Sequence, residues 1–198
     1  HWPDRGWASF RKYGQTKPNA DSGADRAETL DTMDALVKEG KIRAEGIYHA
    51  TFNPDNGSFS PAKLAAKIGS PGFITLHPNG KILYAVGRWE GGTGAIGYQI
   101  TGGELKEFTR MACPDGGGCH IAVHPSGKFL LTAQYGGGSV ALFPLDSSGK
   151  LGEPAVTEHK GGSKVVERRQ QSPHPHWTGF SPDGKYALVP DLGLDQIV

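Results

Sequence analysis

Three segments of the chain repeat one design, and nothing else in the sequence narrows the fold as much. Residues 74–86, 121–133 and 178–190 each run as an apolar strand, a Pro-x-Gly-Lys turn and a second apolar strand. The turns read His77-Pro78-Asn79-Gly80-Lys81, His124-Pro125-Ser126-Gly127-Lys128 and Ser181-Pro182-Asp183-Gly184-Lys185. Proline presets φ for a turn, and glycine takes the left-handed position at no steric cost. The turn prolines stand 47 and 57 residues apart (78 to 125, then 125 to 182), which leaves room for four short strands in each unit. The chain's 30 glycines in 198 residues fit that reading, because the usual share is only ~7% and glycine punctuates short strands.

The other strands fall into place around the turns. In the unit that starts near Cys119, strand A is about 120–124, B 129–135, C 139–145 and D 153–158. The unit before it repeats this with 72–77, 82–87, 95–100 and 105–112. Segments 47–52 and 61–68 read as strands C and D of an earlier unit, and Val198 falls inside strand C of a later one. Self-similarity near 40–50 residues with four strands per unit is the pattern of a β-propeller. The expected fold is therefore mainly β, a partial propeller of two whole blades and two partial ones over residues 47–198.

Such a meander sorts the polar residues by face. Strand A lies innermost, so A–B turns share one face, and D–A and B–C connections share the other. His77 and His124 sit at the turn face, where a structural role is expected. Cys119, His120, Gln134, Tyr135, His174, His176, Asp191 and Asp195 fall at the opposite mouth. The D–A connection 159–176 is the richest stretch, and long loops in compact domains are often functional. It carries Lys164, Arg168 and Arg169, cations suited to an anionic substrate, and it delivers His174 and His176 to the inner strand. Two readings stay open at this point: a catalytic site, or a solvated loop whose histidines plug the rim. His-x-His alone suggests a metal, but no neighbouring acidic or imidazole cluster completes a site, so no metal is expected.

Residues 1–46 behave differently. Asp25 and Glu28 have capping-box spacing. Leu30, Met33, Leu36 and Val37 follow at helical spacing, and Gly40 provides the stop. A short helical N-terminal segment with a helix at about 26–39 is expected. The formal net charge of +1 implies no general attraction to nucleic acid. No stretch approaches the ~20 apolar residues of a membrane span, and no secretory signal is visible, so a cytoplasmic location is expected. Cys113 and Cys119 are too few for a disulfide framework; free thiols are expected, with a bridge across 114–118 as the alternative. The chain starts at His1 rather than Met, which reads as a fragment.

The stretches 118–145 and 169–197, with their Pro-His-Pro-His and Asp-Leu-Gly-Leu-Asp segments, closely resemble blades of the seven-bladed lactonases of the 6-phosphogluconolactonase type. The resemblance covers 47–198, about three of seven blades, and is similar to the fungal carboxymuconate-lactonizing enzymes. It implies hydrolysis of a sugar lactone with no cofactor and a small lactone or phosphorylated sugar acid as partner. It gives His176 the acid/base role, with Lys164, Arg168, Arg169, His174, His120 and Asp191 as the expected substrate-binding set. The family's partner arginine and glutamate fall in the blade after this one. The 198 residues alone are thus expected to be inactive or weakly active, with self-association through open blade edges. A non-catalytic binding or scaffold propeller is the alternative. His1-Trp2-Pro3-Asp4-Arg5 and segment 28–43 resemble instead an aldo-keto reductase, an NADPH-dependent (β/α)₈ barrel whose active-site histidine His1 would match. That family's catalytic Asp, Tyr and Lys are missing from the segment, so a remnant of an NADPH-dependent reductase is the weaker third alternative, no nicotinamide site is expected, and a chimeric reading frame accounts for the switch near Gly46.

Overall fold

Residues 46–198 are described by a computed structural model, and among them there is no helix. They belong to the second of two units into which the chain divides, residues 45–198. The expected helix at 26–39 and the reductase-like head lie outside the described residues.

Two four-stranded antiparallel sheets form the centre of this unit. The first consists of β5 (Gly69–Leu76), β6 (Ile82–Trp89), β7 (Gly92–Thr101) and β8 (Glu104–Ala112), paired in that order. The second repeats the meander with β9 (His120–Val123), β10 (Phe129–Gln134), β11 (Ser139–Pro144) and β12 (Ala155–Glu158). Ahead of them β1 (Gly46–His49) pairs with β4 (Lys63–Lys67) as the outer half of a blade. Their connection carries a small hairpin, β2 (Phe52–Asn53) on β3 (Ser58–Phe59), which the strand pattern did not reveal. Asn53 and Asn56 side chains accept backbone N–H groups in its turn, and Gly57 takes φ +71°.

After β12 a three-stranded meander follows. β13 (Gly179–Phe180) pairs with β14 (Ala187–Leu188), and β15 (Pro190–Asp191) with β16 (Gln196–Ile197). Backbone bonds between Val189 and Val198, and from His176 to Pro190, join these pieces into strands A, B and C of one blade. The inner strands pack on one another, β5 on β9 and β9 on β13.

Alternation along the strands builds the core between blades. Tyr84 and Val86 of β6 join Ile121, Leu130, Ala141 and Phe143 in a cluster between the two whole blades. Ala85, one residue out of phase, faces Ile47, Ile68, Ile96 and Tyr98 in a second cluster beside β1 and β4. A period of two sends successive side chains to opposite faces of a sheet, so each blade is apolar on both. Burying one side chain such as Leu130 or Phe143 contributes about 1.5–3 kcal/mol.

Histidine latches join successive blades at the turn face. His77 Nε2 lies 3.1 Å from the Gly127 carbonyl oxygen, and His124 Nε2 lies 2.8 Å from that of Gly184. A carbonyl only accepts, so each imidazole donates from Nε2. The two turn glycines have φ near +70°, and a Cβ on either would meet the upstream imidazole at 2.7–2.8 Å. Glycine is required there twice over, for conformation and for space. The structural role expected of His77 and His124 thus has a definite form.

Candidate active site

At the other end of the inner strands the Pro-His-Pro-His segment enters the third blade. The His176 N–H donates to Pro190 O and the Leu192 N–H to His174 O, so segment 174–176 runs as the start of strand A. Proline at 173 and 175 donates no N–H, and the period of two sends His174 and His176 to one side.

Asp191 fixes this segment from beneath. It is 2% exposed. One carboxylate oxygen accepts the N–H groups of His174 (2.8 Å) and Leu194 (3.0 Å); the other lies 2.7 Å from His159 Nδ1. His159 follows β12 and is itself buried, so the pair ties the second whole blade to the third. Among the expected substrate-binding residues, Asp191 has both oxygens engaged inside the protein.

Above it the aromatic residues converge. The Tyr135 ring stacks on His174 at 4.6 Å and meets His176 edge-on at 5.2 Å. His174 Nδ1 donates to the Tyr135 carbonyl oxygen at 2.8 Å, which fixes the His174 tautomer. Arg169 Nη2 donates to the Tyr135 hydroxyl at 3.4 Å and brings a cation to the cluster. Burial depresses the His176 pKa, and the nearby Arg169 charge acts in the same direction. The imidazole is therefore a neutral base at physiological pH.

His120, at the start of β9, lies between Phe73 of β5 (ring centroids 4.1 Å apart) and Trp177 (5.4 Å). Its Nδ1 accepts the Thr178 N–H at 3.3 Å. Burial first, and then the charge of His176, hold its pKa below the ordinary imidazole value. Cys119 Sγ lies 3.5 Å from the carbonyl oxygens of Ala133, Pro175 and His176. Burial pushes its pKa up, as it does that of Cys113, and both are free thiols. A protonated thiol is a poor nucleophile, so Cys119 acts as a strut between inner strands.

The connection 159–173 is an ordered wall. Ser163 N–H donates to Gly193 O, and Lys164 N–H donates to Gln170 O. Gln170, 4% exposed, accepts the Val166 N–H and donates to Leu192 O. Gly193 is pressed against this wall: a Cβ there would lie 1.8 Å from Ser172 O. Lys164 has φ +59° and an exposed side chain, and Arg168 is exposed. Neither side chain has a hydrogen bond or ion pair to the imidazoles among the described residues.

The structure thus gathers His174, His176, Arg169 and Tyr135, sets His120 on the neighbouring inner strand, and leaves Lys164 and Arg168 on the outer loop. Tyr135 was legible only as a mouth residue. The parts played by His159 and Gln170 were not legible, since each depends on a partner from another strand. Among the described residues no group of three or more His, Cys, Asp or Glu could hold a metal ion, and no helix is long and apolar enough to cross a membrane.

A family model described as "Lactonase, 7-bladed beta-propeller" matches residues 38–198. A 6-phosphogluconolactonase of Bacillus subtilis (strain 168) is 35% identical over 156 residues, 78% of this chain and 44% of that protein. Another, from Formosa agariphila, is 31% identical over 77% of this chain and 44% of its own length. A periplasmic gluconolactonase of Pseudomonas aeruginosa superposes with a TM-score of 0.71 at 27% identity, over 79% of this chain and 46% of that one. The chain thus spans less than half the length of the relatives it matches.

Proposed function

The chain belongs to the seven-bladed β-propeller lactonase family, and we propose on that premise that residues 46–198 carry part of the active site of a sugar-lactone hydrolase. The proposed substrate is 6-phosphogluconolactone. The carrying observation is His176, a half-buried imidazole held below its ordinary pKa and braced by Tyr135, with Arg169 beside it.

In this reading His176 takes a proton from water as the water oxygen attacks the lactone carbonyl carbon. The carbonyl oxygen becomes an oxyanion. Its collapse breaks the ring C–O bond, and the ring oxygen receives the proton back from His176. Arg169 holds the phosphate or carboxylate, with Lys164 and Arg168 adding positive charge at the rim. Asp191 positions the histidine segment through the His174 N–H. A cytoplasmic site of action belongs to the same proposal, supported by the free thiols of Cys113 and Cys119.

The described residues supply three inner strands and one arginine, bonded to the Tyr135 hydroxyl beside the imidazoles. On this reading the 198 residues alone turn the lactone over slowly, because they lack the arginine and glutamate that the family resemblance puts in a further blade, and each lost electrostatic contact to the transition state costs about 10²–10³ in rate. Calorimetric titration with the ring-opened acid, 6-phosphogluconate, tests the binding half. The wild-type chain binds it, with an affinity that falls as salt is raised. Arg169→Ala weakens binding by about tenfold, as loss of a charged hydrogen bond does. Binding unchanged by Arg169→Ala and by salt would refute the assignment.

A further inference from the structure

Hydrolysis of a lactone needs a donor for the oxygen that becomes negative as well as a base. We propose that His120 is that donor, an imidazole whose Nε2–H holds the substrate's carbonyl oxygen; the inference rests on the lactone-hydrolase reading above.

The tautomer follows from geometry. Nδ1 accepts the Thr178 N–H at 3.3 Å, so in the neutral ring the proton is on Nε2. Protonating Nδ1 would break that bond and place two N–H groups against each other. The ring cannot swing to exchange its nitrogens without displacing Phe73 on one side and Trp177 on the other. His120 is 7% exposed, yet among the described residues nothing accepts from its Nε2. Nε2 is not among the fully enclosed unpartnered polar atoms, so an arriving ligand oxygen can reach it and accept its N–H.

Electrostatics keeps the donor neutral through the reaction. Burial lowers the His120 pKa, and positive charge on His176 lowers it further. When His176 carries the proton taken from water, His120 is therefore held more firmly in its neutral form. The two imidazoles divide the labour: the one that titrates is the base, and the one pinned at Nδ1 is the donor. Preorganised donors of this kind act without reorganising at the moment of reaction.

The test uses the whole chain with ¹⁵N-labelled histidine, followed by long-range ¹H–¹⁵N spectra between about pH 5 and 8, with and without 6-phosphogluconate. Its carboxylate oxygens stand in for the lactone carbonyl oxygen. The expected result is a His120 signal that is Nε2-protonated in its neutral form, titrates below the ordinary imidazole value and shifts when the acid binds. His120→Phe, which keeps a ring between Phe73 and Trp177 but leaves the Thr178 N–H without its acceptor, should lower the melting temperature and bind the acid about tenfold more weakly at a temperature where the variant is fully folded. His120→Gln, which keeps an N–H, should recover part of the loss. A proton on Nδ1 in the neutral form, or titration of His120 near its ordinary pKa, overturns the proposal. Signals that move at His176 but not at His120 overturn it while leaving the lactone reading intact. If neither imidazole responds to the acid, the lactone reading fails and takes this proposal with it.

Discussion

At His176 the deciding cost is that of charging a half-buried ring. Burial and Arg169 both favour the neutral imidazole, so lactone hydrolysis should rise with pH through a pKa below about 6.5 and level off above it. Arg169→Gln removes the like charge, and the rising limb should move to higher pH; a limb that stays still would exclude that coupling. Stability should follow the same sign. His120 and His176 both have depressed pKa values in the fold, so the unfolded chain binds more protons. Their contribution is intact above the unfolded value of about 6.5 and is lost as pH falls below it. Asp191 works differently, as an acceptor. Asp191→Ala leaves His159 and two backbone N–H groups without an acceptor, and urea titration should show a loss of about 3 kcal/mol. Asp191→Asn, keeping one acceptor oxygen, should lose less. The sequence marked His174, His176 and Asp191 through their motifs. It did not mark what they touch, because Asp191 meets His159 across 32 residues and His174 meets Tyr135 across 39. No local pattern encodes such pairs.

Among the elements, strands were legible because their signals are local. Pro-x-Gly-Lys turns and alternating apolar residues located both whole blades to within a few residues. The differences have local causes. β5 starts at Gly69 because a bulge with Ser70 at φ +44° lengthens it. β12 starts at Ala155 because Leu145 and Leu151 bridge around a turn capped by Asp146. The β2–β3 hairpin went unseen because two-residue strands carry no periodicity. The latches between turns give a test at this scale. His124→Ala frees the Gly184 carbonyl oxygen and should cost about 1 kcal/mol. His77 bonds Gly127 in the turn that carries His124, so the double substitution should depart from the sum of the two single costs; strict additivity would mean the two latches act independently despite sharing that turn. Gly193→Ala should disrupt the loop wall, since its Cβ meets Ser172 O far inside contact distance. Faster hydrogen exchange confined to about 159–173 is the expected readout, and unchanged exchange would show that the wall does not depend on Gly193.

For the molecule as a whole, the same two-faced construction that builds the core leaves apolar surface at both ends of the described blades. Leu76 on inner strand β5 is 56% exposed, and Tyr186 and Ile197 of the third blade are 66% and 72% exposed. A propeller buries such faces by stacking each blade between two neighbours, and three inner strands do not make a ring of seven. The family was legible at this scale because blades repeat; the site was only half legible because a channel mouth is assembled from several of them. Everything proposed here converges on His176 as the base of a lactone hydrolase. The most direct measurement is hydrolysis of 6-phosphogluconolactone by the 198-residue chain, with spontaneous hydrolysis subtracted, beside the same chain carrying His176→Ala and the Bacillus subtilis relative. The account predicts a residual rate at least about 100-fold below that relative, lost in His176→Ala. A residual rate that survives His176→Ala, or a chain as fast as the relative, would contradict it.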